Sequence, residues 1–309
     1  MRGADDNRGM TSTTHGATRL TTLGILRAQG EDAAKFLHGQ LTQDFALLGL
    51  HEARLAGFCS AKGRLLATMI GWKNSETEIL LALPAELLPA IQKRLSMFVL
   101  RAKCKISDAT ADWQLWGLTA PTAEALPNWT LTRDDTAVKI RLPSPAGGPA
   151  RWLLAQPAAA TAPALPAQAE TDWQWLELES GLPWIVAATS EQFVPQMLNL
   201  ELLGGVNFQK GCYPGQEVVA RSQYRGTLKR RTYLYELQGA AAPGQEIFHS
   251  EDPGQPAGLV ANAVARDGQS LILAETKIAA LTSGSLHLGS ADGPLLLPRA
   301  LPYALVEPQ

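Results

Sequence analysis

The chain has 309 residues, enough for two or three domains and a substantial core. Hydrophobic residues make up 46%, charged residues 18%, and the formal net charge is -2, so no global basic field recruits nucleic acid, although a small basic patch is compatible with these numbers. No run of 18 or more apolar residues occurs, which argues against a membrane-spanning helix.

Cys59, Cys104 and Cys212 are odd in number and far apart, so no disulfide framework is indicated and a reducing cytoplasm is expected. There is no Cys-x-x-Cys, and the histidines, His15, His38, His51, His249 and His287, show no ligand spacing. Neither a zinc site nor a cluster site within one chain is expected.

Residues 1–18 are polar and lack the apolar core of a signal peptide, and they read as a disordered tail. Residues 21–28 form a strand. A helix starting at Gly30-Glu31-Asp32 carries Phe36, Leu37, Gln40 and Leu41 at helical spacing and ends at Gln43-Asp44. Residues 53–70 read as a hairpin turning at residues 60–63, with Lys62 and Arg64 as basic groups there. Residues 78–83 are a strand. Residues 86–98 are a helix whose Pro89 falls in the first turn, where proline is tolerated. Strands follow at 103–107 and 113–118. Strands, hairpins and helices mixed this way indicate an α+β layer and not a doubly wound sheet.

Residues 134–142 and 151–155 form a second hairpin around a Pro/Gly-rich turn. Residues 156–170 are Ala/Pro-rich and are either a linker or a broken helix. Residues 171–181 are a helix, capped by Thr171 or Asp172 and stopped by Gly181-Leu182-Pro183. Trp175, Leu178 and Glu179 share one face of it. From Arg230 onward, short alternating strands with an Asp267-Gly268 hairpin turn indicate a small antiparallel barrel or sandwich.

The stretch Lys210-Gly211-Cys212-Tyr213-Pro214-Gly215-Gln216-Glu217 is the densest in chemistry. Tyr213 precedes proline, which disfavours the α region, and Pro214 suits a helix first turn, so a tight loop delivers Cys212 just before a helix beginning near Gly215. The helix N-terminus and Lys210 both favour a thiolate there. A lone cysteine is usually a small buried hydrophobe. The glycine-rich loop and the following Gln-Glu pair tip the balance toward function.

The motif Lys-Gly-Cys-Tyr-x-Gly-Gln-Glu resembles the signature of the YgfZ/Iba57 family, relatives of the glycine-cleavage aminomethyltransferase. The lead-in Phe193-Val194-Pro195-Gln196-Met197-Leu198-Asn199-Leu200, the Cys59-Ser60-Ala61-Lys62-Gly63-Arg64 turn and Glu179-Ser180-Gly181-Leu182-Pro183 resemble the family as well. The resemblance runs from about residue 21 to the C-terminus. It implies an aminomethyltransferase-like α+β fold. A first α+β domain would comprise residues 19–50 and 170–225, with a ferredoxin-like domain, residues 51–169, inserted in it, and a C-terminal antiparallel β-barrel, residues 226–309, would complete a central cleft. It also implies a helix within residues 156–170.

The function implied by the resemblance is binding of tetrahydrofolate or a one-carbon derivative, in support of iron–sulfur enzymes such as a tRNA methylthiotransferase, without direct nucleic-acid binding. Folate suits the residues at hand, since a carboxylate accepts both donors of the pterin edge. Glu179 would do this with Trp175 against the ring, and Lys210, Arg221 or Arg225 would meet the anionic tail. Relatives carry an aromatic folate contact near the position that is Leu23 here, which removes a stacking partner. The aminomethyltransferases have a similar Lys-x-x-Phe-x-Gly segment without the cysteine, so Cys212 argues against aminomethyl transfer. Two alternatives stand beside this reading. One is an active one-carbon transferase, for which Asp108 or Asp112 would supply acid–base chemistry. The other is an interaction scaffold docking through the Cys212 loop.

Overall fold

The computed structural model describes residues 15–121, 126–134, 136–224 and 228–306. In chain order, the first part comprises β1 (Gly16–Arg19), β2 (Leu23–Gln29), α1 (Ala33–His38), β3 (Ala53–Cys59), β4 (Leu65–Ser75), β5 (Glu78–Pro84), α2 (Leu88–Phe98) and β6 (Lys105–Asp108). The middle comprises β7 (Trp113–Ala120), β8 (Leu131–Arg133), β9 (Val138–Leu142), β10 (Ala150–Pro157), α3 (Glu170–Glu179) and α4 (Gln216–Tyr224). The last part comprises β11 (Arg230–Gln238), β12 (Glu246–His249), β13 (Asp252–Arg266), β14 (Gln269–Lys277), β15 (Leu286–Leu288) and β16 (Leu297–Arg299).

These strands make three sheets, ordered β3-β4-β5-β2-β6, β1-β7-β10-β9-β8 and β15-β12-β13-β14-β11-β16. All named strand pairs are antiparallel. The third sheet curls until its edges meet. Leu288 N–H donates to Pro294 O and Leu296 N–H to Leu286 O, joining β15 to the residues that lead into β16. That contact satisfies the backbone groups that an open edge would leave unpaired.

The hairpin over residues 53–70, the strand before it and the helix ending at Phe98 form as the sequence predicts. So does the Asp267-Gly268 turn, with φ of 52° and 80°. Several expectations need correction. Gly16 begins a strand paired with β7, so residues 16–18 are not a tail, and residues 1–14 lie outside the described residues. No helix forms within residues 156–169, where prolines interrupt the backbone hydrogen-bond ladder. The N-cap of α3 is Ala169, with no side-chain cap, while Asp172 pairs with Arg266 at 3.2 Å. The boundary expected at residues 50/51 runs through a sheet. β2 lies between β5 and β6, and both its edges are hydrogen bonded to strands assigned to the inserted domain.

The main core is built from the first sheet, parts of the second and residues 182–206. α3 is wedged between two layers. Trp173 packs against Gly117 of β7, where a side chain would collide with the indole. On the other side, Trp175 and Leu178 pack against Leu234, Val264, Leu271 and Leu273 of the barrel.

Candidate functional site

A cleft of about 430 Å³ opens where β2, the end of β5, α3 and β13 converge. Its walls include Leu20, Leu23, Pro84, Glu86, Trp173, Glu177, Leu178, Trp184 and Asn262. Asn262 fastens Trp184 to the barrel, accepting from its backbone N–H at 3.0 Å and donating to its carbonyl at 2.9 Å. Leu23 lies in the cleft.

Two acids line the cleft, Glu86, which accepts from Ala187 N–H at 2.8 Å, and Glu177. The Oε1 of Glu177 meets the guanidinium of Arg151 at 3.0 Å. Arg151, fully buried on β10, also donates to Pro143 O and Ser180 Oγ and stacks 4.3 Å from the Trp173 ring. Burial raises the Glu177 carboxyl above the usual carboxylate range, against the opposing charge of Arg151. The same burial lowers Arg151. The Trp184 indole N–H contributes to keeping Glu177 charged but forms no hydrogen bond of good geometry.

The predicted pair Trp175 and Glu179 is not in the cleft. Trp175 is buried against the barrel with Arg266 4.2 Å from its ring. Glu179 pairs with Arg299 at 3.2 Å. Trp173 and Glu177 take the cleft positions instead. They repeat the same four-residue spacing two residues earlier, about 200° around the helix. The sequence Trp173-Gln174-Trp175-Leu176-Glu177-Leu178-Glu179 contains the pattern twice, and periodicity alone does not choose between the two faces. Asp108 and Asp112 do not line the cleft either. Asp108 accepts from Thr110 N–H at 2.8 Å, and Asp112 meets Arg27 at 3.0 Å.

The second corner is the Cys212 loop. Cys212 is exposed, just ahead of α4. Lys210 is buried, and its ammonium is not offered to a ligand. It donates to the carbonyls of His38 and Leu41, the latter at 2.9 Å, and lies 4.6 Å from the Tyr213 ring. These bonds fasten the loop to the C-terminal end of α1, where the last carbonyls lack helical partners. Burial pushes the Lys210 ammonium down to about 8, with Asp44 and Cys212 pulling the other way.

The loop also seats on the β3–β4 turn. Gly215 has φ +79°, and a Cβ there would stand 2.4 Å from Ser60 O and 2.6 Å from Gly63 Cα. Thus the two motifs at residues 59–64 and 210–217 meet backbone to backbone. Tyr213 is buried, and Gln216 opens α4. Glu217 and Arg221 are exposed and face each other at 3.4 Å, away from the cleft lining, and Arg225 lies outside the described residues. Lys62 is exposed, while Arg64 donates to Gln192 O.

Of the other thiols, Cys59 is buried and pushed up to about 12 by that burial. Cys104 is partly exposed. Burial and the Asp32 charge push it up to about 11. No loop residue lines the cleft, so the two corners are separate sites. Among the described residues, no His, Cys, Asp and Glu cluster suits a metal ion.

No family model matches the chain. The fold matches a crystal structure of glycine cleavage system aminomethyltransferase T from Bartonella henselae, with a TM-score of 0.68 over 94% of this chain and 86% of that one, at 16% identity. An uncharacterized protein of Haemophilus influenzae is 30% identical over 258 residues, covering 81% of this chain and 84% of that protein. The "tRNA-modifying protein YgfZ" of Hamiltonella defensa is 30% identical over 271 residues, covering 81% and 79%. That of Sodalis glossinidius is 29% identical over 318 residues, covering 93% of both chains. With the signature loop, the aminomethyltransferase-like fold and this extent of similarity in hand, the chain belongs to the YgfZ family.

Proposed function

We propose that this protein binds tetrahydrofolate or a one-carbon derivative in the cleft, and that the Cys212 loop supports iron–sulfur enzymes, including those that thiomethylate tRNA. The carrying observation for folate is Glu177 on the cleft wall. With Oε1 taken by Arg151, Oε2 remains to accept the adjacent N–H and amino donors of a pterin. Leu20, Leu23 and Leu178 supply apolar walls, and the volume falls within the range of small-molecule sites.

The bound folate would carry a one-carbon unit. The chain's own residues orient it and exclude water. No Lys or Arg lines the cleft among the described residues, which leaves the anionic tail to project toward solvent. A transferase reading draws support from the raised carboxyl of Glu177, because acid–base groups work best when tuned toward neutrality.

Calorimetry with tetrahydrofolate tests the proposal. Glu177→Gln is expected to weaken binding by roughly 1.5–3 kcal/mol, the worth of a charge-assisted hydrogen bond. Glu179→Gln is expected to leave it unchanged. No binding by the wild type removes the folate reading and leaves the scaffold. The reverse mutational pattern would return the site to the other face of α3.

A further inference from the structure

We propose that the C-terminal end of α2, with the turn that follows it, docks on an anionic lipid surface. The inference stands apart from the folate cleft and from the Cys212 loop. Residues 87–107 hold five basic side chains and no acidic one, in a chain whose formal net charge is -2. A local basic field therefore sits on a molecule that is acidic elsewhere.

α2 packs on β2 and β6 and buries Leu88, Ile91 and Leu95. Past that stripe the apolar residues turn outward. Met97 is 59% exposed, Phe98 46% and Leu100 85%. The turn is held in this shape at its base, where Lys103 N–H donates to Asp32 Oδ2 at 2.7 Å and Lys103 O accepts from Asp32 N–H at 3.2 Å. The Lys103 ammonium is taken by Glu31 at 2.8 Å. The other four cations are free. Among the described residues, no carboxylate pairs with Lys93, Arg94, Arg101 or Lys105. Lys93 and Arg94 stand one helical turn before Met97 and Phe98, and Arg101 and Lys105 follow the apolar tip. Free cations thus flank the tip on both sides.

This combination selects among occupants by charge and by size. Three apolar side chains are too few for the centre of a stable protein interface, which takes about 20–30 residues a side. Lysine is also depleted in such interfaces. A nucleic-acid backbone would meet the cations but leave Met97 and Leu100 in water. A lipid surface takes both kinds of group. Its acyl boundary receives the apolar tip, its headgroup phosphates receive the ammonium and guanidinium groups, and a fluid layer needs no matching groove. Glu86, just before α2, lines the cleft, and the 11 residues of the helix span about 16 Å. Cleft and tip therefore lie at opposite ends of α2.

Co-sedimentation of the full chain with vesicles tests the proposal. The wild type is expected to pellet with vesicles of mixed phosphatidylglycerol and phosphatidylcholine, to ignore vesicles of phosphatidylcholine alone, and to be released as salt rises and screens the attraction. Leu100→Asp and Arg101→Glu are each expected to cut binding about tenfold. Leu47→Asp, at an apolar position 78% exposed outside this segment, is expected to bind as the wild type does. Should Leu100→Asp fail to fold, Arg101→Glu, which removes no buried group, decides alone. A wild type that stays in solution with the anionic vesicles overturns the proposal. So does binding that both variants retain, or that Leu47→Asp loses equally. Retention of a short single-stranded RNA without retention on vesicles would give the segment to a nucleic acid and overturns it as well.

Discussion

Glu177 stands against two opposing effects, burial that raises its carboxyl and the Arg151 charge that lowers it, with burial the larger. The sign for ligand binding follows. A carboxyl raised above its ordinary value takes up its proton at a higher pH than a free glutamate, whose value is about 4.3. A pterin that needs the carboxylate therefore loses affinity earlier as the pH falls. Calorimetric titration with tetrahydrofolate at a series of pH values should show affinity declining above the ordinary glutamate range, and Glu177→Gln should flatten that profile. A decline confined to the ordinary range would mean that the cleft does not tune this group. The burial that causes the shift also places the carboxylate where water competes least for its hydrogen bonds.

The Cys212 loop is an element whose shape is held by neighbours on both sides. Lys210 fixes its start to α1, and Gly215 fixes its end to the β3–β4 turn. Gly215→Ala brings two penalties, a positive φ that L side chains rarely adopt and a Cβ inside contact distance of Ser60 and Gly63. The expected cost is about 1–3 kcal/mol, read as a lower midpoint in denaturant. Cys212→Ser, at an exposed position, is expected to stay within about 0.5 kcal/mol of wild type in the same experiment. Comparable losses for both variants would make the cysteine structural. α3 is the other decisive element. It is apolar on two faces because one packs on a sheet and the other on the barrel.

At the scale of the whole molecule, Arg231 joins the barrel to the segment that leads into the signature loop. Buried at the start of β11, it donates to Gln196 O, Asn199 Oδ1, Glu201 Oε1 and, near the C-terminus, Val306 O. Burial raises Glu201, and the Arg231 charge opposes it. Removing one member of a buried pair strands the other charge and typically costs about 3–5 kcal/mol. Arg231→Ala is accordingly expected to lower the thermal midpoint by several degrees or more, measured by calorimetric melting. An unchanged midpoint would show that the barrel docks through its apolar contacts alone. Since Asn262 of β13 holds Trp184 on the cleft wall, barrel docking and cleft shape are expected to fail together.

The sequence by itself determined the local order of the chain. The β3–β4 hairpin, α2, α3, the start of α4 and the barrel strands all follow from periodicity, proline placement and turn chemistry, which act over a few residues. The signature at residues 210–217 marked the family, and it is a continuous stretch that needs no partner to be read. What only the tertiary structure decided depends on which surfaces meet. β2 enters the middle of a sheet expected to belong to another domain, because strand pairing joins residues far apart in the chain. α3 presents Trp173 and Glu177 to the cleft, and Trp175 and Glu179 elsewhere, because both faces are buried and the choice lies in what each face packs against. Lys210 reads in the sequence as a free cation for an anionic ligand. In the fold it is bound to the carbonyls of His38, at the end of α1, and Leu41, just beyond it, since only tertiary contact brings those carbonyls within reach.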